Sequence, residues 1–427
     1  MENSEKTALD ADHRSDWARL MAETGQDLLQ DTRHLVRLDA DELLECATRA
    51  SGGLTDFGSG DFMEPFEVLL ESLERESNLT LVGRILVRSE LLNLLENRLK
   101  IADLVKREPE IRKQRVERPL FIVGLPRSGT TILHELIAQD PSLRAPLTWE
   151  GRFPCPPSTA QTYASDPRIA AADRIFDLWI QLVPEFQTMT EMGALLPCEC
   201  IQLTAHSFRS EEFLGRQQTA GYGAWLATAD LAPAYAYHHL MLQMFQWGMD
   251  TQRWILKAPS HMGAMPYLLA EYPDACIVQT HRDPLQSMAS TGSLLAAHAW
   301  MRANEVDVEL IKLGFAGEGM ASRLDQLLSA RASHPNAAEQ FADVRFADLM
   351  ARPIEALRGV YQKFALDFTP EHEERILAYL AAKPRAKHGR HEYRIEELGV
   401  DVAEERERFR SYQERFSVPS EVLEPTP

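Results

Sequence analysis

The sequence predicts an α/β protein, a P-loop-like parallel sheet flanked by helices, with an N-terminal helical region and a large helical insertion. Three observations carry that prediction. A short apolar run, Leu120–Leu125, turns through Pro126-Arg127-Ser128-Gly129 and passes into the helical pattern Thr131-Ile132-Leu133-His134-Glu135-Leu136-Ile137. Further short apolar runs at Trp254–Leu256, Cys276–Thr280 and Val344–Phe346 lead into helix-like segments such as Met262–Tyr272 and Pro353–Phe364. Strands alternating with helices close into a parallel sheet covered on both faces. The chain ahead of the first strand, in contrast, reads as helical.

Taken in order, Asp16-Trp17-Ala18-Arg19-Leu20-Met21 opens a helix with Trp17, Leu20 and Met21 on one face. From Leu91 to Val105 the apolar residues Leu91, Leu94, Leu95, Ala102 and Val105 recur at threes and fours, a second helix. Gly52-Gly53 and Gly58-Ser59-Gly60 mark loops between helices. Residues 1–117 are therefore expected to form a helical layer packed on the core, and 118–427 the α/β domain. Inside that domain, about 150–250 is an insertion rich in aromatic residues and methionine, among them Phe176, Trp179, Phe186, Met189, Phe208 and Trp225. Most should pack helices together, with a minority lining an apolar pocket over the sheet.

Composition narrows the function. With 44% hydrophobic and 26% charged residues in 427, the chain has the make-up of a soluble globular protein. A net charge of −19 weighs against nucleic acid, whose binding depends on neutralising phosphates. It leaves room for a small anionic cofactor, which needs only a local basic pocket. No apolar window reaches the ~18 residues of a spanning helix, and the polar, acidic start lacks a signal-peptide pattern. The five cysteines are odd in number and scattered, and Cys198-x-Cys200 is too tight for a zinc knuckle. They are expected to be reduced thiols in a cytoplasmic protein, with no metal site.

The chemistry concentrates at three strand ends. Gly124-x-x-x-x-Gly129 has the spacing of a Walker A loop, but Thr130 stands where its lysine belongs and a basic residue comes earlier, at Arg127. Glycine admits an anion close to the backbone, the helix start favours negative charge, Ser128, Thr130 and Thr131 offer hydroxyls, and Arg127 offers a fork of donors. Trp254-Ile255-Leu256-Lys257-Ala258-Pro259 delivers a lysine at the end of a buried-looking strand, where it needs an anionic partner. Cys276–Thr280 runs on into His281-Arg282-Asp283-Pro284, where Asp283 can cap the helix that Pro284 opens. Ser290 lies about two helical turns beyond Arg282. Ligands of parallel sheets collect at the carboxyl ends of the strands, so Arg127, Lys257 and Arg282 are expected to converge there.

Together the segments 124–131, 254–261 and 276–290 resemble the cofactor-binding elements of the sulfotransferases that use 3′-phosphoadenosine 5′-phosphosulfate (PAPS). The nearest likeness is to the soluble bacterial branch that also resembles tyrosylprotein sulfotransferases, over roughly residues 118–395. The resemblance implies that Arg127, Ser128, Gly129, Thr130 and Thr131 hold the 5′-phosphosulfate, and that Arg282 and Ser290 hold the 3′-phosphate. It places Lys257 beside the transferring sulfuryl group, and the basic segment Lys383–Tyr393, with Lys387 and His388, over the cofactor. It implies in-line attack by an acceptor hydroxyl or amine on sulfur, with Arg127 and Lys257 neutralising the leaving phosphate and no metal required. Glu150 is the first candidate for general base, followed by His206, with His261 and Glu199 as further candidates. The aromatic insertion points to an apolar small-molecule or lipid acceptor. Two other readings stand beside this one: a P-loop kinase or NTPase, against which the missing lysine argues, and a non-catalytic nucleotide-binding module.

Overall fold

Five strands form one wholly parallel sheet: β1 (Leu120–Gly124), β2 (Leu143–Arg144), β3 (Arg253–Lys257), β4 (Cys276–His281) and β5 (Phe341–Arg345), in the order β2-β3-β1-β4-β5. The computed structural model describes residues 12–29, 31–249, 253–383 and 395–421. β1 pairs with β3 from Leu120↔Ile255 and with β4 from Leu120↔Cys276 to Gly124↔Thr280. Both β1 and β4 are buried along their whole length, as strands covered on two faces must be. Successive side chains serve opposite cores. Phe121 and Val123 join Met241, Met265 and Ile277 on one face, while Leu120 and Ile122 join Leu133, Leu136 and Leu357 on the other.

The chain leaves β1 towards β2 on one side and leaves β4 towards β5 on the other. The carboxyl ends of these two neighbouring strands therefore flank the crevice of a topological switch point.

Several elements differ from the sequence expectation. β2 has only two residues, too few to show a period. β5 starts at Phe341 rather than Val344, because Asp343 and Arg345 face outward and break the apolar run. After Lys257 the chain makes a 3₁₀ turn, Pro259–Met262, before the helix Met265–Glu271. The helix of 91–105 is longer, Leu81–Arg107, because Thr80 caps it by accepting the Gly83 N–H at 2.9 Å. The first helix, Asp16–Leu29, turns the opposite face inward: Trp17, Leu20 and Met21 are exposed, and Ala18 and Ala22 are buried. Ala18 packs with Leu86, Phe176 and Trp179, where a small residue allows close approach.

Most of the aromatic residues of the insertion are buried, Trp179, Phe186, Phe208 and Tyr222 among them, and they tie its helices to 63–107 and to Pro284–Trp300. Among the described residues no helix is long and apolar enough to cross a membrane, and no group of three or more His, Cys, Asp or Glu side chains gathers as metal ligands. All five cysteines are free thiols.

Candidate active site

The loop after β1 is shaped by close contact with β4 and by glycine. Gly124 has φ +143°, and a Cβ there would lie 2.3 Å from the Thr280 hydroxyl; Gly129, at φ +89°, leaves 2.8 Å to the Phe346 ring. Arg127 is left-handed too, at φ +64°, a conformation that costs a non-glycine residue about 1–3 kcal/mol and needs fixed surroundings. Its surroundings provide them. The Arg127 carbonyl accepts from Arg282 Nη1 at 2.9 Å, its Nε donates to Ser290 Oγ at 3.0 Å, and its Nη2 donates to the Met189 carbonyl at 3.0 Å. The structure thus brings together Arg127, Arg282 and Ser290, which lie on separate elements.

Ser128 serves the loop itself. Fully buried, its hydroxyl donates to the Leu125 carbonyl at 2.5 Å and shares a hydrogen bond of 2.6 Å with Thr280 Oγ1. Its N–H also donates to the Leu125 carbonyl, at 3.2 Å, so the backbone N–H left for the crevice is that of Gly129. Thr130 is buried and Thr131 exposed at the start of helix Thr130–Ile137, whose first N–H groups have no helical acceptor.

Lys257 ends β3 almost wholly buried, with Nζ ion-paired to Glu199 and 3.3 Å from Thr131 Oγ1. Glu199 stands at the N-cap of helix Cys200–Thr204, and its side chain keeps about a third of its exposure. A buried ammonium requires such a partner. The pair connects the third strand end to the phosphate-type loop.

Arg282 is held by a residue far along the chain. Its Nε and Nη2 each donate to one oxygen of Glu421 at 2.8 Å, and its guanidinium lies over the Phe346 ring at 4.2 Å. Glu421 is anchored in turn: its N–H donates to Asp283, whose two oxygens each accept from Arg406 Nη1 at 2.7 Å, and its carbonyl accepts from Arg406 Nη2 at 3.1 Å. A guanidinium fork on a carboxylate has the geometry that also receives a phosphate. Nothing in the sequence marks Glu421: it follows Val418-Pro419-Ser420 in no recognisable motif.

The other expected site residues have different surroundings. Glu150 is buried, with Oε1 on Arg144 at 2.6 Å and Oε2 accepting from the Leu147 N–H and the Tyr163 hydroxyl, each at 3.0 Å. Those contacts fasten the start of helix Thr148–Arg152. His206 directs Nδ1 at the carbonyls of Gln202 and Leu203 and Nε2 at Asn97, 3.1 Å away. His261 is buried against Phe121 and shares a 2.7 Å hydrogen bond with the Tyr235 hydroxyl. Lys387 and His388 lie outside the described residues; Lys383, at the head of their segment, pairs with Glu135 and Glu191.

Burial keeps several imidazoles neutral. It pushes His206 down to about 4 and His261 to about 3; His134, with Lys257 adding repulsion, also falls to about 3. The same groups protonate near 6.5 once exposed, so unfolding takes up protons between about 6.5 and 4. Their contribution to stability is complete above 6.5 and is lost as pH falls through that window. Denaturant titrations are expected to show a midpoint that drops steadily from pH 7 to pH 4, with His206→Gln taking up about one proton fewer on unfolding. A midpoint that does not change with pH would contradict this account.

Against known proteins, a family model described as Sulfotransferase family matches residues 119–370. The chain is similar to the crystal structure of sulfotransferase STF1 from Mycobacterium tuberculosis H37Rv, at 30% identity and TM-score 0.76, over 88% of this chain and 99% of that one. It is likewise similar to sulfotransferase STF9 from Mycobacterium avium, at 27% identity and TM-score 0.80, over 89% of this chain and 97% of that one. No curated protein sequence matches significantly.

Proposed function

The chain belongs to the sulfotransferase family, and from that premise we propose that it moves a sulfuryl group from PAPS to a hydroxyl or amine of a small-molecule or lipid acceptor. The observation that carries this reading is the meeting of two cationic strand ends at the switch point, Arg282 Nη1 on the Arg127 carbonyl at 2.9 Å. One phosphate-type site alone would suit many nucleotides. Two, with a lysine beside the first, suit a donor phosphorylated at both its 3′ and 5′ positions.

In this reading Arg127 and the backbone N–H groups of 129–131 hold the 5′-phosphosulfate, and Arg282 and Ser290 the 3′-phosphate. The fit rests on the Arg282 fork, already engaged with a planar anion in Glu421. Lys257, beside Thr131, sits where negative charge gathers as the sulfur–oxygen bond of the donor breaks. Glu199 is the better placed base, because it is the carboxylate paired with Lys257; Glu150 is engaged in fastening helix Thr148–Arg152. Once Lys257 turns to the donor, the Glu199 carboxylate is released to accept the acceptor's proton. A cytoplasmic setting accords with the five free thiols.

Calorimetry with adenosine 3′,5′-bisphosphate and adenosine 5′-monophosphate tests the donor assignment. The bisphosphate is expected to bind much more tightly, and equal affinities would defeat it. Transfer of labelled sulfuryl to phenolic, lipid and carbohydrate acceptors tests the activity. Glu421 competes with the 3′-phosphate for Arg282, so Glu421→Ala is expected to tighten bisphosphate binding roughly tenfold, the worth of one charge-assisted hydrogen bond. Unchanged affinity in that variant would place the 3′-phosphate elsewhere.

A further inference from the structure

Between helices Leu81–Arg107, Thr148–Arg152, Cys200–Thr204 and Glu212–Arg216 lies a cavity of about 50 Å³. That is several times the ~10–15 Å³ that one water needs. Its charged lining is Glu90, Arg152, Glu212 and Arg216, with Asn93 and Gln202 beside them. Glu90 pairs with Arg302 at 2.8 Å and with Arg216 at 3.6 Å, and Glu212 pairs with Arg216. Arg152 differs. Among the described residues its guanidinium makes no ion pair and no hydrogen bond; it lies only near the Phe176 and Trp179 rings, at 5.9 and 5.7 Å. The lining itself balances two arginines against two glutamates, and Arg302, which pairs with Glu90 from outside the lining, brings the cluster to three guanidinium groups for two carboxylates. The neighbouring His206 and His298 do not add to it, since burial holds both neutral.

Arg152 is half-buried, and among the described residues no carboxylate lies within ion-pair distance of it; a partly desolvated cation without such a partner is costly. Burial first, and repulsion from Arg216 next, lower the Arg152 pKa to about 10, against the attraction of Glu90 and Glu212. An incoming anion would add to that attraction. The cavity also adjoins the proposed transfer centre. Gln202 follows Glu199 by three residues, roughly 5 Å of helix axis, and Gly151, next to Arg152, packs so closely on Cys198 that a Cβ would lie 3.3 Å from its Sγ. Segment 198–202 therefore carries the Lys257 partner at one end and the cavity wall at the other. The charges of Glu199 and Glu212 act on each other across the gap.

We propose that this cavity is the acceptor's anion subsite, that Arg152 determines its specificity, and that the acceptor is a hydroxy acid whose carboxylate meets Arg152 while its hydroxyl lies at Lys257 and Glu199. The proposal rests on the crevice being the sulfuryl-transfer site. In the step it serves, the acceptor oxygen forms a bond to sulfur and the bond from sulfur to the 5′-phosphate oxygen breaks. The hydroxyl proton passes to Glu199, and the electron pair leaves with the nucleotide phosphate. Arg152 makes and breaks no bond; it selects and orients.

Calorimetry on the full chain, saturated with adenosine 3′,5′-bisphosphate, tests the subsite with 3-(4-hydroxyphenyl)propanoate and its methyl ester. The acid is expected to bind at least tenfold more tightly than the ester, and Arg152→Gln to erase that preference. Equal affinities in the wild type, binding of neither compound, or a preference that survives in Arg152→Gln would each overturn the proposal. The wild-type comparison decides even if the variant folds poorly. The nucleotide titration that precedes it reports separately on the donor: if the bisphosphate does not bind, the donor assignment fails and the acid–ester comparison is made on the nucleotide-free protein.

Discussion

Lys257→Ala is expected to slow sulfuryl transfer by about 10²–10³-fold, the cost of removing one preorganised charge-stabilising group from a water-poor site. The reason lies in the position of Nζ. It ends a central strand almost completely buried and lies 3.3 Å from Thr131 Oγ1, at the helix start proposed to hold the phosphosulfate. Charge moves onto the donor's phosphate oxygens only as the sulfur–oxygen bond breaks, so the loss should appear in kcat and much less in nucleotide affinity. The variant leaves Glu199 without its partner, but that carboxylate is one-third exposed and water can solvate it. A folded Lys257→Ala enzyme within threefold of wild-type kcat would refute the assignment.

Glu199→Gln is expected to lower kcat by 10²–10⁴-fold, the range for loss of a general base. Glutamine keeps the shape and can still accept a hydrogen bond from Lys257, but it leaves the buried ammonium without its counter-charge, so stability is expected to fall while bisphosphate affinity changes little. The telling measurement is the dependence on acceptor acidity. An acceptor already ionised at neutral pH, such as a nitrophenol, needs no base and should lose little rate, whereas an alcohol should lose the full factor. Equal losses for both acceptor types would exclude Glu199 as the base and return attention to Glu150 and His206.

The sequence expressed the strands and the loop around this crevice well because their signals are local. The apolar run of β1, the glycines at 124 and 129, and the helix that starts at Thr130 fall within one short stretch. Lys257 and Arg282 each end or follow an apolar run that reads as a strand without help from the rest of the chain. Elements with mixed polarity were less legible. β5 hid its first half because Asp343 turns outward to Arg331 and His281, and the first helix buries alanines rather than its large apolar residues. Ser128 illustrates a subtler gap. Its residue type suits an anion site, but its hydroxyl is used to fix the loop on β4.

Taken alone, then, the sequence determined the parallel α/β class, the phosphate-type loop, and the cations that end the third and fourth strands, since each is encoded by neighbours a few residues apart. Only the tertiary structure decided which carboxylate meets Lys257, that Glu421 lies on Arg282 from 139 positions away, and that among the described residues no carboxylate lies within ion-pair distance of Arg152. Those outcomes depend on how the helices of the insertion and the C-terminal tail pack over the sheet. Such packing joins residues distant in the chain, and no local periodicity or spacing records it.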